Sequence, residues 1–95
     1  VGDKILTKHP DPGKQGARIS KVKYDVIRQT ILEILGASGE LTFTELADAA
    51  KERLDGEFDG SVSWYVTTVK LDLEARNEIQ RVPQTKPQRL RVVTG

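Results

Sequence analysis

The sequence predicts a mostly α-helical fold with a small β-hairpin, a winged helix-turn-helix. Three helices and a two-stranded wing span residues 20–95, and an extended N-terminal arm spans residues 1–19. Three stretches carry this prediction. Residues 61–76 repeat apolar side chains at helical spacing, and Thr42-Phe-Thr-Glu45 has the form of a helix-opening capping box. Residues 79–93 alternate apolar and basic side chains on either side of a proline-bounded turn, which reads as a hairpin.

Length and composition bound the rest. Ninety-five residues with 37% hydrophobic side chains suffice for one small domain and not for two. There is no cysteine, so no disulfide framework or thiolate metal site can form, and a reducing compartment is expected. No stretch approaches the roughly 18 apolar residues of a membrane span, and the polar N-terminus lacks a signal-peptide core, so a soluble cytoplasmic protein is expected. The net charge of +1 hides a segregation. Residues 1–28 carry seven Lys/Arg against three acids, residues 29–78 carry four against eleven, and residues 79–95 carry four with no acid. Basic ends around an acidic middle fit an anionic partner at the ends, and they fit equally well two surfaces of one protein that attract each other.

In chain order, Pro10, Pro12, Gly13 and Gly16 argue for an arm with turns, in which Lys4-Ile-Leu-Thr7 can form a short strand. The first helix is expected to start after Ser20 as its cap. Ile19 and Tyr24 are placed as a hydrophobic staple, and Tyr24, Ile27, Ile31, Ile34 and Leu35 form its buried face. Gly36 and Gly39 are expected to end it. The second helix opens at Thr42, with Glu45 reaching back and Leu41 stapled to Leu46, and buries Leu46, Ala49, Ala50 and Leu54. The acidic loop Asp55-Gly-Glu-Phe-Asp-Gly60 should keep Phe58 in the core. It leads to a third helix capped by Asp59 or Ser61 and ended by Asn77, a residue that tolerates the left-handed conformation. The strands follow at Ile79–Val82 and 88–93, with Leu90 and Val92 facing inwards and Arg89 and Arg91 outwards.

The third helix has two apolar stripes: Val62, Val66, Val69 and Leu73 on one side, Trp64, Thr68, Leu71 and Ala75 nearly opposite. A surface helix normally has one. The second stripe is expected to lie beneath the arm, through Ile5 and Leu6. The alternative places it at the centre of a homodimer or protein-partner interface, where Trp64, Thr68 and Leu71 would be the contacts and a tryptophan anchor would dominate the energy.

Trp64-Tyr-Val-Thr-Thr-Val-Lys-Leu-Asp-Leu-Glu-Ala75 and Lys86-Pro-Gln-Arg-Leu-Arg91, with His9-Pro10, Gly16, Arg18-Ile19 and Lys23-Tyr24 in the arm, resemble a family of small bacterial proteins of unknown function with a winged-helix-like fold. The resemblance spans roughly residues 4 to 93. It implies the fold and a DNA-binding or regulatory role, and the family has no established activity to carry over. Leu73-Glu74 followed by Ile79 and Arg81 is also similar to the passage from recognition helix to wing in many bacterial repressors, most of which have glycine where this chain has Asn77 or Glu78.

Double-stranded DNA is therefore the expected partner, in transcription regulation. Lys86, Arg89 and Arg91 on the wing and Lys14, Arg18, Lys21 and Lys23 near the arm are candidates for phosphates. Ser61, Ser63, Thr67, Thr68 and Lys70 on the third helix are candidates for bases or phosphates. The carboxylates before that helix and the apolar Trp64 and Leu71 argue against it as a reader of DNA, which keeps the protein-interface alternative in play. An enzyme is not expected, since no nucleophile–base pair, metal set or phosphate-cradling loop is present. His9, the single histidine, is expected as an exposed arm residue, with no metal and no cofactor; Asp72 and Glu74 are expected on a solvated face.

Overall fold

The buried faces of three helices and one side of a three-stranded sheet meet in a single core, and each helix is opened by a hydroxyl cap that its sequence supplies. A computed structural model describes residues 3–11, 13–14 and 16–93; Pro12, assigned above to an arm turn, lies outside them. About half of the chain is helical. Helix α1, Lys21–Ser38, begins where the Ser20 hydroxyl accepts from the Lys23 amide, and it buries Tyr24, Ile27, Thr30, Ile31, Ile34 and Leu35. It ends at Gly39, at φ 85°, whose N–H donates to the Leu35 carbonyl at 2.8 Å. Gly36 does not end it. That glycine sits on the outer face, where the helix runs on through Ala37 and Ser38.

Strand β3, Leu41–Thr42, leads directly into helix α2, Phe43–Arg53. The capping box is complete: Thr42 Oγ1 accepts from the Glu45 amide at 3.2 Å, and Glu45 Oε1 accepts from the Thr42 amide at 2.9 Å. Leu46, Ala47, Ala50 and Leu54 are buried, and Ala49 is only half-buried. Helix α3, Val62–Ala75, is capped by Ser61, not Asp59; the Ser61 hydroxyl accepts from the Trp64 amide at 3.2 Å. It closes on Asn77 at φ 61°, with the Asn77 and Glu78 amides donating to the Glu74 and Leu73 carbonyls. That pair of crossed bonds is the Schellman arrangement, which asparagine supports without a glycine.

Strands β4, Ile79–Val82, and β5, Arg89–Val92, pair antiparallel, with Ile79 opposite Val92 and Val82 opposite Arg89. The sequence reading missed a third strand. β3 pairs with the other edge of β5, Leu41 opposite Leu90, which gives the order β3-β5-β4. Leu90 and Ile79 enter the core while Arg89 and Arg91 stay exposed. The arm also folds further than expected: β1, Lys4–Leu6, pairs with β2, Arg18–Ser20, with Ile5 opposite Ile19 and Ile19 buried in the core. Among the described residues no helix is long and apolar enough to cross a membrane, and no group of three or more His, Asp or Glu could hold a metal ion.

Candidate nucleic-acid interface

Helix α3 and the hairpin that follows it form the candidate site, and one buried carboxylate ties α3 to the arm and to α1. Asp72, expected on a solvated face, is fully buried. It accepts from the Tyr24 hydroxyl of α1, from the Lys8 main-chain N–H of the arm at 2.8 Å, and from Arg76 Nε at 2.9 Å. A buried carboxylate is tolerable only when its lone pairs are filled, and here three segments fill them. Burial first, then the Asp72 hydrogen bond and charge, push the Tyr24 phenol well above its ordinary value. The Asp72 hydrogen bond likewise raises Arg76.

Glu74 is the second correction. Its side chain is 6% exposed and joins α3 to the hairpin, accepting from Arg81 Nε of β4 at 2.6 Å. Lys70 Nζ stands 3.0 Å from the other Glu74 oxygen, off the line of a hydrogen bond, and 5.6 Å from the centroid of the Phe43 ring. Lys70, a candidate DNA contact, is therefore a 14% exposed, paired cation. Both misreadings have one cause. Helical periodicity places Asp72 and Glu74 between the two apolar stripes, and whether such positions are wet depends on the arm and hairpin packed against them.

Other candidates are also occupied. Lys21 pairs with Asp25 at 2.9 Å, and Lys14 with Asp11 at 3.6 Å. Lys23 lies 4.0 Å from Asp59 and over the rings of Phe58 and Tyr65. Arg28 pairs with Glu78, which raises the pKa of the guanidinium. Three of these pairs, Lys23–Asp59, Arg28–Glu78 and Arg81–Glu74, join a basic end of the chain to its acidic middle. Much of the charge segregation is thus satisfied within the fold.

Three of the cations that remain stand together on the hairpin. Arg89 and Arg91 alternate with buried Leu90 and so share the outer face, and Lys86 lies in the connecting turn; all three are exposed. Among the described residues Lys86, Arg89 and Arg18 make no ion pair, and neither do Lys4, Lys8 and Lys51; the charge of Arg89 reaches the exposed Glu45 of the α2 cap, whose pKa is lowered first by its hydrogen bonds to Thr42. Arg91 stands beside Gln80, whose amide oxygen, turned towards it, accepts at 2.6–2.7 Å. On α3, Ser61 is used as a cap and the Thr67 hydroxyl donates to the Ser63 carbonyl at 2.9 Å. Ser63 is half-exposed and its hydroxyl is unused among the described residues.

The second apolar stripe is divided. Thr68 and Leu71 line a crevice with Thr7, Lys8, His9, Gly16 and Ala17, and Ala75 lines a neighbouring one with Leu6, so the arm lies along the C-terminal part of the stripe, beside Thr68 and Leu71 with these residues and not with Ile5. Ile5 packs on the core and Leu6 is exposed. Trp64 stays 48% exposed. Its ring stands edge-on to Tyr65, with centroids 4.9 Å apart, and Tyr65 stands edge-on to Phe58 at 5.1 Å. His9 is half-buried, and its Nδ1 accepts from the Asp11 amide at 3.0 Å.

The chain belongs to a family of unknown function (DUF6958), whose model matches residues 4–90. No curated protein and no solved structure matches it.

Proposed function

We propose that this member of the family is a winged helix-turn-helix domain that binds double-stranded DNA, with the hairpin as its wing, in the manner of a cytoplasmic transcription regulator of the bacterial type. The element order supports the fold: a helix, a short strand, two helices and a hairpin whose second strand pairs back to that short strand. The observation that carries the function is the fate of the cations. After Lys14, Lys21, Lys23, Arg28, Arg53, Lys70, Arg76 and Arg81 are paired within the fold, Lys86, Arg89 and Arg91 make no ion pair among the described residues and stand exposed together on one ribbon, whereas the other exposed, unpaired cations, Arg18, Lys4, Lys8 and Lys51, lie on the arm and α2.

Phosphate binding needs such unpaired cations, and each one that neutralises a phosphate releases counterions. The wing, with Arg18 as an accessory, supplies the anchoring; Lys21, Lys23 and Lys70 contribute little. The test is duplex affinity at low salt for the wild type and Lys86→Ala/Arg89→Ala. The proposal expects clear wild-type binding that the double substitution weakens at least tenfold. No binding, or binding indifferent to the substitution, contradicts it.

Exposed Trp64 favours a second reading, a protein interface on α3, now without Leu71, which lies beside the arm. That reading expects a mass that rises with concentration and loses this dependence in Trp64→Ala.

A further inference from the structure

We infer that Trp64 is a specificity-determining residue of the proposed DNA site, one that reads thymine methyl groups and gives the domain a preference for A·T-rich duplexes. The inference rests on the proposed DNA binding. It starts from what the exposed face of α3 lacks. Guanine is read in the major groove by paired donors from Arg or Lys, and adenine by the amide of Asn or Gln. Residues 62–75 contain no Asn, Gln or Arg, and their one lysine, Lys70, is held by Glu74 beside Phe43. The face therefore has no free group that reads a purine edge with two hydrogen bonds.

What the face presents is Ser63, Trp64 and Thr67. The Thr67 hydroxyl donates to the Ser63 carbonyl, so its proton is spent and its methyl remains. The Trp64 ring is half-exposed and held in place. Tyr65 meets it edge-on at 4.9 Å, Phe58 braces Tyr65 at 5.1 Å, and Lys23 Nζ lies 5.5 Å and 5.8 Å from the Tyr65 and Phe58 centroids. An aromatic side chain braced before a ligand arrives loses little rotamer freedom on binding. Of the groups in the major groove, the C5-methyl of thymine is the one that an apolar surface recognises.

Trp64 is the single tryptophan of the chain, so its emission reports the contact directly. Wild type, Trp64→Phe and Trp64→Ala would be titrated, at low salt, with an A·T-rich duplex and with the same duplex carrying uracil for thymine, which removes only the methyl groups. Circular dichroism would confirm that each variant is folded. The inference expects the uracil duplex to bind the wild type about fourfold more weakly for one contacted methyl, or about fifteenfold for two, from the transfer value of one buried CH₂-sized group. It also expects Trp64 emission to shift with the thymine duplex, Trp64→Phe to retain part of the discrimination, and Trp64→Ala to lose it.

Equal affinity for both duplexes with unchanged Trp64 emission overturns the inference and leaves the proposed DNA binding standing. No affinity for either duplex overturns both. A Trp64-dependent self-association in that last case assigns the ring to a protein interface instead.

Discussion

Removing the Asp72 carboxylate should loosen the arm and cost a large part of the domain's stability. In Asp72→Ala, the Tyr24 hydroxyl and the Lys8 amide lose their acceptor, and each hydrogen bond to a charged group is worth about 1.5–3 kcal/mol. Arg76 is about one-third exposed and can turn to water, so its share is small. The two inner bonds together give about 3–6 kcal/mol, which overlaps the roughly 3–5 kcal/mol expected for breaking a buried ionic contact from one side. A domain of 95 residues is stable by about 5–14 kcal/mol, so the loss is about a fifth of the total or more. Asp72→Asn should cost less, because the amide keeps one acceptor oxygen for the Lys8 N–H while the Tyr24 hydroxyl can turn to accept. The assay is urea unfolding followed by circular dichroism, with Asp48→Ala on the exposed side of α2 as a control expected within about 0.5 kcal/mol of wild type. Hydrogen exchange at the Lys8 amide should be slow in wild type and fast in Asp72→Ala. A loss below about 1 kcal/mol, with Lys8 still protected, would refute the view that Asp72 ties arm, α1 and α3 together.

Three further outcomes are expected. Because the folded Tyr24 phenol is held protonated above the pH at which an unfolded phenol ionises, its contribution is complete below about pH 10. It is lost as pH rises towards the higher folded value, with a slope of at most about 1.4 kcal/mol per pH unit. Urea midpoints measured between pH 9 and pH 11 should show a steeper alkaline fall for wild type than for Tyr24→Phe. Gly16→Ala would drive a Cβ into the Thr7 main-chain carbonyl, which cannot turn aside as a side chain would, so the arm must separate there. A cost of about 1–3 kcal/mol in urea unfolding and faster exchange of the Thr7 amide, which donates to the Ala17 carbonyl at 2.9 Å, are expected. Thr42→Ala removes the α2 cap and should cost about 1 kcal/mol in urea unfolding, with a larger loss of helix protection at Glu45 than elsewhere in α2.

The helices were legible because the signals that start and stop them are local. Ser20, the Thr42–Glu45 box and Asn77 act within one turn of where they stand in the chain. The β4–β5 hairpin was legible for the same reason, through alternation across Leu90. The pairing of β3 with β5 was not, because two residues carry no periodicity and their partners lie far along the chain, Leu41 being 49 positions from Leu90. Site residues divide in the same way. Arg89 and Arg91 are exposed as strand alternation required and Lys86 as a turn residue, whereas the pairing of Lys70 with Glu74 and of Arg81 with the same carboxylate depends on how the hairpin packs against α3. Residues 72 and 76 form one (i, i+4) pair, which a sequence can suggest. That Lys8 and Tyr24 complete it requires the fold.

The slope of log affinity against log salt concentration for a short duplex tests the proposed wing most directly, since it counts neutralised phosphates independently of sequence. Each cation that meets a phosphate contributes about 0.9 to the slope, so Lys86→Ala/Arg89→Ala should reduce its magnitude by about 2. Lys21→Ala/Lys70→Ala, which removes two cations already paired within the fold, should leave it nearly unchanged. A slope that ignores the wing and falls with Lys21 and Lys70 would contradict the account.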